Sequence, residues 1–135
     1  MANAKSDYLE ESIINHVLRN TAYTSPASVH VGLYSVAPGE TGGGTELSGN
    51  AYARQAVTFG APTQTGSPTV AQTSNSNEVL FPEATGAWPE AVAFGIFDAV
   101  SVGNLLYYGT LDTPRTAGLG DQIRFQVGTL TVSEG

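Results

Sequence analysis

The sequence contains no cysteine, which excludes disulfide staples, thiolate nucleophiles and cysteine-ligated zinc together. Charge is also scarce. Asp, Glu, Lys and Arg make up 13% of the 135 residues, about half the share usual in a globular domain. Either the surface is depleted because it meets other proteins, or Ser, Thr, Asn and Gln do the solvating; composition leaves both readings open. Only Lys5, Arg19, Arg54, Arg115 and Arg124 carry fixed positive charge, scattered along a chain of net charge −7. Binding to nucleic acid requires several cations on one face to displace phosphate counterions, so no direct nucleic-acid contact is expected. No apolar run approaches the ~18 residues of a membrane span. The opening MANAKSDYLEES lacks the apolar centre of a signal peptide, which leads us to expect synthesis in the cytoplasm and no membrane contact.

What the sequence has is glycine, 16 residues, with 7 prolines and 41% apolar residues, a balance richer in turns than a helical protein tolerates. A chain of this length buries roughly 65–70% of its unfolded surface, enough for one domain without metal or disulfide. The expectation is a single domain over 1–135 of mainly β class: a two-sheet antiparallel β-sandwich, jelly-roll-like, over about 28–133, with one N-terminal α-helix over about 7–20. Leu9, Ile13 and Val17 recur every four residues, and Ile14 and Leu18 widen the stripe. Asp7 with Glu10 three residues on forms a candidate capping box. Glu10 and Glu11 near the start and His16 and Arg19 near the end suit the helix dipole.

After TAYTSPAS the pattern shortens to strands. Val29, Val31 and Leu33 alternate with His30 and Tyr34 over Val29–Val36. Residues 37–50, with five glycines and no apolar period, predict a long exposed loop, functional or mobile. Further strands are predicted at Tyr52–Gly60, Thr69–Thr73, Asn77–Phe81, Ala91–Phe97, Leu105–Leu111 and Gln122–Val132, about seven in all. The phase of the last slips at Gly128, predicting a bulge or bend there. Val102-Gly103-Asn104 predicts a tight hairpin turn and Asp112 to Gly118 a longer connection.

A search for chemistry yields little. His16 and His30 stand outside any metal-ligand spacing and are expected to be structural. No GxSxG or SxxK spacing supplies a nucleophile with a base. The glycine-rich stretch from Gly39 to Glu46 lacks the lysine of a phosphate cradle, and Glu40 and Glu46 would repel phosphate. Glu83 and Glu90 flank Trp88 as a glycosidase pair would flank a stacking platform, yet the two prolines and glycine of FPEATGAWPE better fit a turn that Trp88 anchors to the core. No DxDxDG spacing points to calcium. The expectation is a non-enzymatic protein with no catalytic residue, cofactor or metal. Arg54 and Asp98, each in an otherwise apolar strand, are candidates for a buried ion pair, since a buried charge needs a partner.

The runs YLEESIINHVLRNTAYTSPASVHVGLYSVAP, GNAYARQAVTFGAP and EVLFPEATGAWPEAVAFGIFDAVSVGNLLYYGTL resemble a group of small tailed-bacteriophage virion proteins. The similarity spans nearly the whole chain, with Arg54 in AYARQAV and Asp98 in FGIFDA matching the pattern, and is thin over 60–75. It implies a virion component, made in the host cytoplasm, and brings no catalytic residue. Such proteins are often called tail-fibre proteins, while similar small β-domains serve as capsid decoration, or cement, proteins. One globule of 135 residues without a shaft favours decoration. The partners would then be the major capsid protein and copies of the chain itself as a homotrimer, and binding only the assembled shell would stabilise it by mass action. The alternative is a tail-fibre or tail-tip protein that touches a host surface glycan through Trp88, Tyr107 or Tyr108.

Overall fold

The computed structural model describes residues 4–135. Strand β1 (Ala4–Lys5) leads into helix α1 (Asp7–Leu18). The helix is capped one residue earlier than the capping box predicts: Ser6 Oγ, and not Asp7, accepts from Leu9 N at 3.2 Å. Ser6 is favoured because its hydroxyl also donates to Leu105 O inside the fold, where Asp7 would have to bury a charge. The expected core stripe is not the one used. Leu9 alone is buried and Ile13 is half-buried, while Ile14, Val17 and Leu18 remain 54%, 67% and 76% exposed. Only the Leu9–Ile13 side of α1 faces the protein.

The principal sheet is antiparallel. β9 (Leu105–Ala117) and β8 (Trp88–Phe97) form its central hairpin, flanked by β1 on one side and β2 (Val29–Val36) on the other. Beyond β2 lie β3 (Thr45–Glu46) and β4 (Gln55–Val57), which pair with different stretches of it. The alternation predicted for β2 is observed: Val31 and Leu33 enter the core, and Tyr34 joins the opposite face with Ala93, Phe97 and Leu105. β8 is buried on both faces from Ala93 to Phe97, which explains a continuous AVAFGIF run where a half-exposed strand would alternate.

The second layer is two small sheets. β6 (Val70–Ser74) lies between β5 (Thr63–Thr65) and β11 (Thr131–Glu134), while β7 (Val79–Leu80) pairs with β10 (Arg124–Phe125). Val79, Phe81, Phe125, Leu130 and Val132 from this layer pack with Val31, Leu33, Phe94 and Ile96 of the large sheet. The predicted Gln122–Val132 strand is broken where its phase slips, with Gly128 at φ +83°. Asn75 fixes that bend. Buried at 1% exposure, it donates from Nδ2 to Gln126 O and Asn77 O and accepts at Oδ1 from Leu130 N.

Two connections differ from expectation. Of the expected 112–118 connection, residues 112–117 are strand and not loop, because the early start of β8 supplies partners: Ala91 faces Arg115 and Trp88 faces Ala117. Pro114 is tolerated where register shifts interrupt that ladder, since its missing N–H is not needed. The 37–50 loop is free only in part. Its second half forms β3, and Leu47 is buried and donates to Leu33 O at 2.9 Å. In its first half, Glu40 O accepts from Asp7 N at the start of α1. By contrast the turn expected at Val102-Gly103 is present, both residues having positive φ, although it lies within a longer connection over 98–104 and is not a tight two-residue hairpin.

Candidate functional site

The most highly organised polar cluster lies on the outer face of the large sheet, where β3, β4 and the β8–β9 turn converge. Arg54 pairs with Glu46 in two parallel bonds, Nε to Oε2 and Nη2 to Oε1, each 2.9 Å, the planar match that arginine makes with carboxylate. Nη1 donates to Ala99 O and Val102 O, and the guanidinium lies 3.5 Å from the centre of the Phe97 ring. Tyr52 donates to Glu46 Oε2 at 2.7 Å and accepts from Leu33 N at 2.9 Å. Gly32 makes room: a Cβ there would stand 2.7 Å from Glu46 Oε2 and 3.0 Å from the Tyr52 hydroxyl.

The electrostatics follow from burial. Burial raises the Tyr52 hydroxyl well above its ordinary pKa, and its bond to Glu46 adds to the shift. Tyr34 is pushed up to about 12, chiefly by burial, with Glu46 adding and Arg54 opposing. For Arg54 itself burial disfavours the charge, but the hydrogen bond and charge of Glu46, helped by Tyr52 and Tyr34, more than restore it. The cluster holds two short strands and a turn together.

The expected Arg54–Asp98 pair is therefore corrected: the partner of Arg54 is Glu46. Asp98 instead accepts from Asn104 N at 2.7 Å through Oδ1 and from Asn104 Nδ2 at 2.9 Å through Oδ2, closing the turn whose carbonyls Arg54 grips. A carboxylate at the mouth of a hairpin satisfies the turn's own donors first. Glu46 escaped the sequence reading because it sits in a stretch with no apolar period, although Leu47 beside it was a sign of a buried strand.

The three aromatics named for glycan contact do not form an exposed platform. Trp88 is buried at 5% exposure, with Nε1 donating to Asn50 O at 2.8 Å and its ring edge-on to Tyr52 and Phe81; it is the loop anchor that its flanking turn residues suggested. Tyr107 is half-buried and donates to Glu134 Oε2 at 2.8 Å, burial and that bond together raising its pKa. Tyr108 is half-buried on the opposite face, against the Tyr34 and Phe97 cluster. Glu83 and Glu90 are both exposed, with the buried Trp88 between them. His16 accepts from Tyr23 N at 3.1 Å where the chain leaves α1. Among the described residues no three His, Asp or Glu side chains gather as a metal would require.

Beside the Arg54 cluster a groove of about 530 Å³ opens between the start of α1, the glycine-rich loop and the β8–β9 turn, floored by Tyr34, Phe97 and Leu105. Asp7 and Glu40 stand at its edge. With Glu10 they act on Tyr108, whose pKa is raised first by burial and then by these three carboxylates. The rim of the groove thus continues into the outer face of α1.

A sequence-family model described as "Podophage GP4 fiber I protein gp80" matches residues 4–133. The chain belongs to that family. It is a phage virion structural protein, and the resemblance seen in its motifs is thereby confirmed at the level of family. No curated protein matches the sequence.

Proposed function

We propose that the chain is a non-enzymatic fibre subunit of the phage tail. The family match over residues 4–133 carries this reading. The way the polar groups are used supports its non-catalytic part. The carboxylate of Glu46 is saturated by Arg54 and Tyr52, that of Asp98 by Asn104, and that of Glu134 by Lys5 and Tyr107. Each of these groups holds structure together and faces a fixed partner, which leaves it poorly placed to move protons to a substrate.

A second reading, decoration of the head, has one observation in its favour. The described residues form a compact pair of layers with no elongated shaft, as suits a subunit repeated over a shell. In that role the chain would contact the major capsid protein, and trimers at local threefold positions would be the natural symmetry. Cryo-electron microscopy of the parent particle, with copy number from quantitative mass spectrometry, decides between the two. Density confined to the tail, at a few to a few dozen copies, is expected. Hundreds of copies over the shell would replace the fibre reading with decoration, and absence from purified virions would reject both.

A further inference from the structure

The outer face of α1 is organised and uncovered. Asp7, Glu11, Ile14 and Leu18 follow one another at spacings of four, three and four, with Glu10 and Val17 alongside, so they share one stripe of the helix. Its first half is acidic and its second half apolar. Nothing among the described residues covers Ile14, Val17 or Leu18, whose exposures are 54%, 67% and 76%. Three large aliphatic side chains grouped on one helix face differ from single exposed apolar residues, which need no explanation. The acidic half runs on into Glu40, whose backbone carbonyl holds Asp7 N at 2.9 Å.

A second copy of the chain does not fit this stripe. Parallel pairing would set acid on acid, and antiparallel pairing would lay the acidic half of each helix on the apolar half of the other. The chain's own cations offer few countercharges, because three of the five already have carboxylate partners. Lys5 is held by Glu134, Arg54 by Glu46 and Arg124 by Glu78. Arg115 lies over the Phe125 ring, and Arg19 bonds Asn15.

We infer that the stripe is a docking site for a basic amphipathic segment of another virion protein. Its apolar side chains would cover Ile14, Val17 and Leu18, and its Lys or Arg residues would meet Asp7, Glu10, Glu11 and Glu40. This is the helix-on-helix mode of recognition, with apolar anchors at helical spacing and charge setting direction and register. The inference rests on the chain being a virion component and holds for tail or head.

The test is incorporation during infection by a phage whose own copy of the gene is disrupted, with protein variants supplied in the host. Copies per purified virion are counted against the major coat protein. Ile14→Ser with Val17→Ser removes the apolar half, and Glu10→Lys with Glu11→Lys reverses the acidic half. Val127→Ser, at a site equally exposed at 60% but far along the chain in the second layer, is the control. At least a tenfold loss of incorporation is expected for each stripe variant, with the control unchanged; the serine variant should melt as the parent does and the lysine variant slightly lower, because cations in the first turn oppose the helix dipole. Should the double serine variant melt low, Leu18→Ser alone takes its place. Incorporation at wild-type level for the stripe variants overturns the docking inference while leaving the virion assignment standing; equal loss in the control also overturns it. A homo-oligomer in sedimentation that the serine variants dissolve would assign the stripe to a second copy. Absence of the wild-type chain from virions would sink the virion reading and this inference with it.

Discussion

The Arg54 cluster and the outer face of α1 both combine charge with apolar surface, and they are finished in opposite ways. Around Arg54 four donated bonds, an aromatic face and a glycine cut to size satisfy every charged group inside the chain. On α1 the acidic residues and the aliphatic residues share a stripe that the chain leaves bare. A polar group that a fold needs for itself is buried and paired, because leaving it unpaired costs more than the pairing gains. The exposed apolar half of that surface contributes little to the fold, so substitution there should separate stability from assembly.

The largest effect should follow from breaking the pair. Glu46→Ala leaves Arg54, whose side chain is only 9% exposed, without its carboxylate, and a loss of about 3 kcal/mol is expected in chemical denaturation. Asp98→Ala loses a turn cap and should cost about 1 kcal/mol. The reverse order would restore Asp98 as the true partner of Arg54. Next comes Gly32→Ala, expected to destabilise by about 1–3 kcal/mol through overpacking against Glu46 and Tyr52; in a Glu46→Ala background the new methyl has room and its cost should shrink, which a double-mutant cycle would register.

Ser6→Ala should cost about 1–2 kcal/mol in thermal melts, since the hydroxyl both caps α1 and bonds Leu105 O. A cost as small as a few tenths would show that the helix is held by Leu9 alone. The smallest effect belongs to the outer stripe: Val17→Ser should fall within about 0.5 kcal/mol of the parent, and a larger loss would mean that the helix face is covered in the free protein. Alkaline titration sharpens the same contrast. Tyr34, with its pKa raised to about 12, favours the fold fully below about pH 10, and stability should decline as the pH climbs from there toward 12.

How much of this the sequence showed depended on whether a signal was local. The β2 alternation, the Val102-Gly103 turn and the break at Gly128 rest on neighbouring residues and were legible. So was the burial of Trp88, argued from the prolines around it. The N-cap was missed by one residue because Ser6 and Asp7 are both good caps, and the choice is made by Leu105, 99 positions away. The Arg54 partner was missed for a related reason. Arg54 and Asp98 were matched on the apolar character of their strands, whereas the partner came from a glycine-rich stretch that becomes a strand only because β2 offers it an edge. For α1 the apolar period was correct and its use was not: five aliphatic residues suggested a core face, but the sheet has space for Leu9 and part of Ile13, and the rest of the stripe turns outward.

Glu134 holds Lys5 and Tyr107 together, so the first and last described strands meet at a single clasp. Any tension drawn between the two ends of this unit enters and leaves the molecule at nearly the same point. The elements nearest that point are the clasp, the two-residue β1 and the β11 ladder on β6, so these would meet the load first.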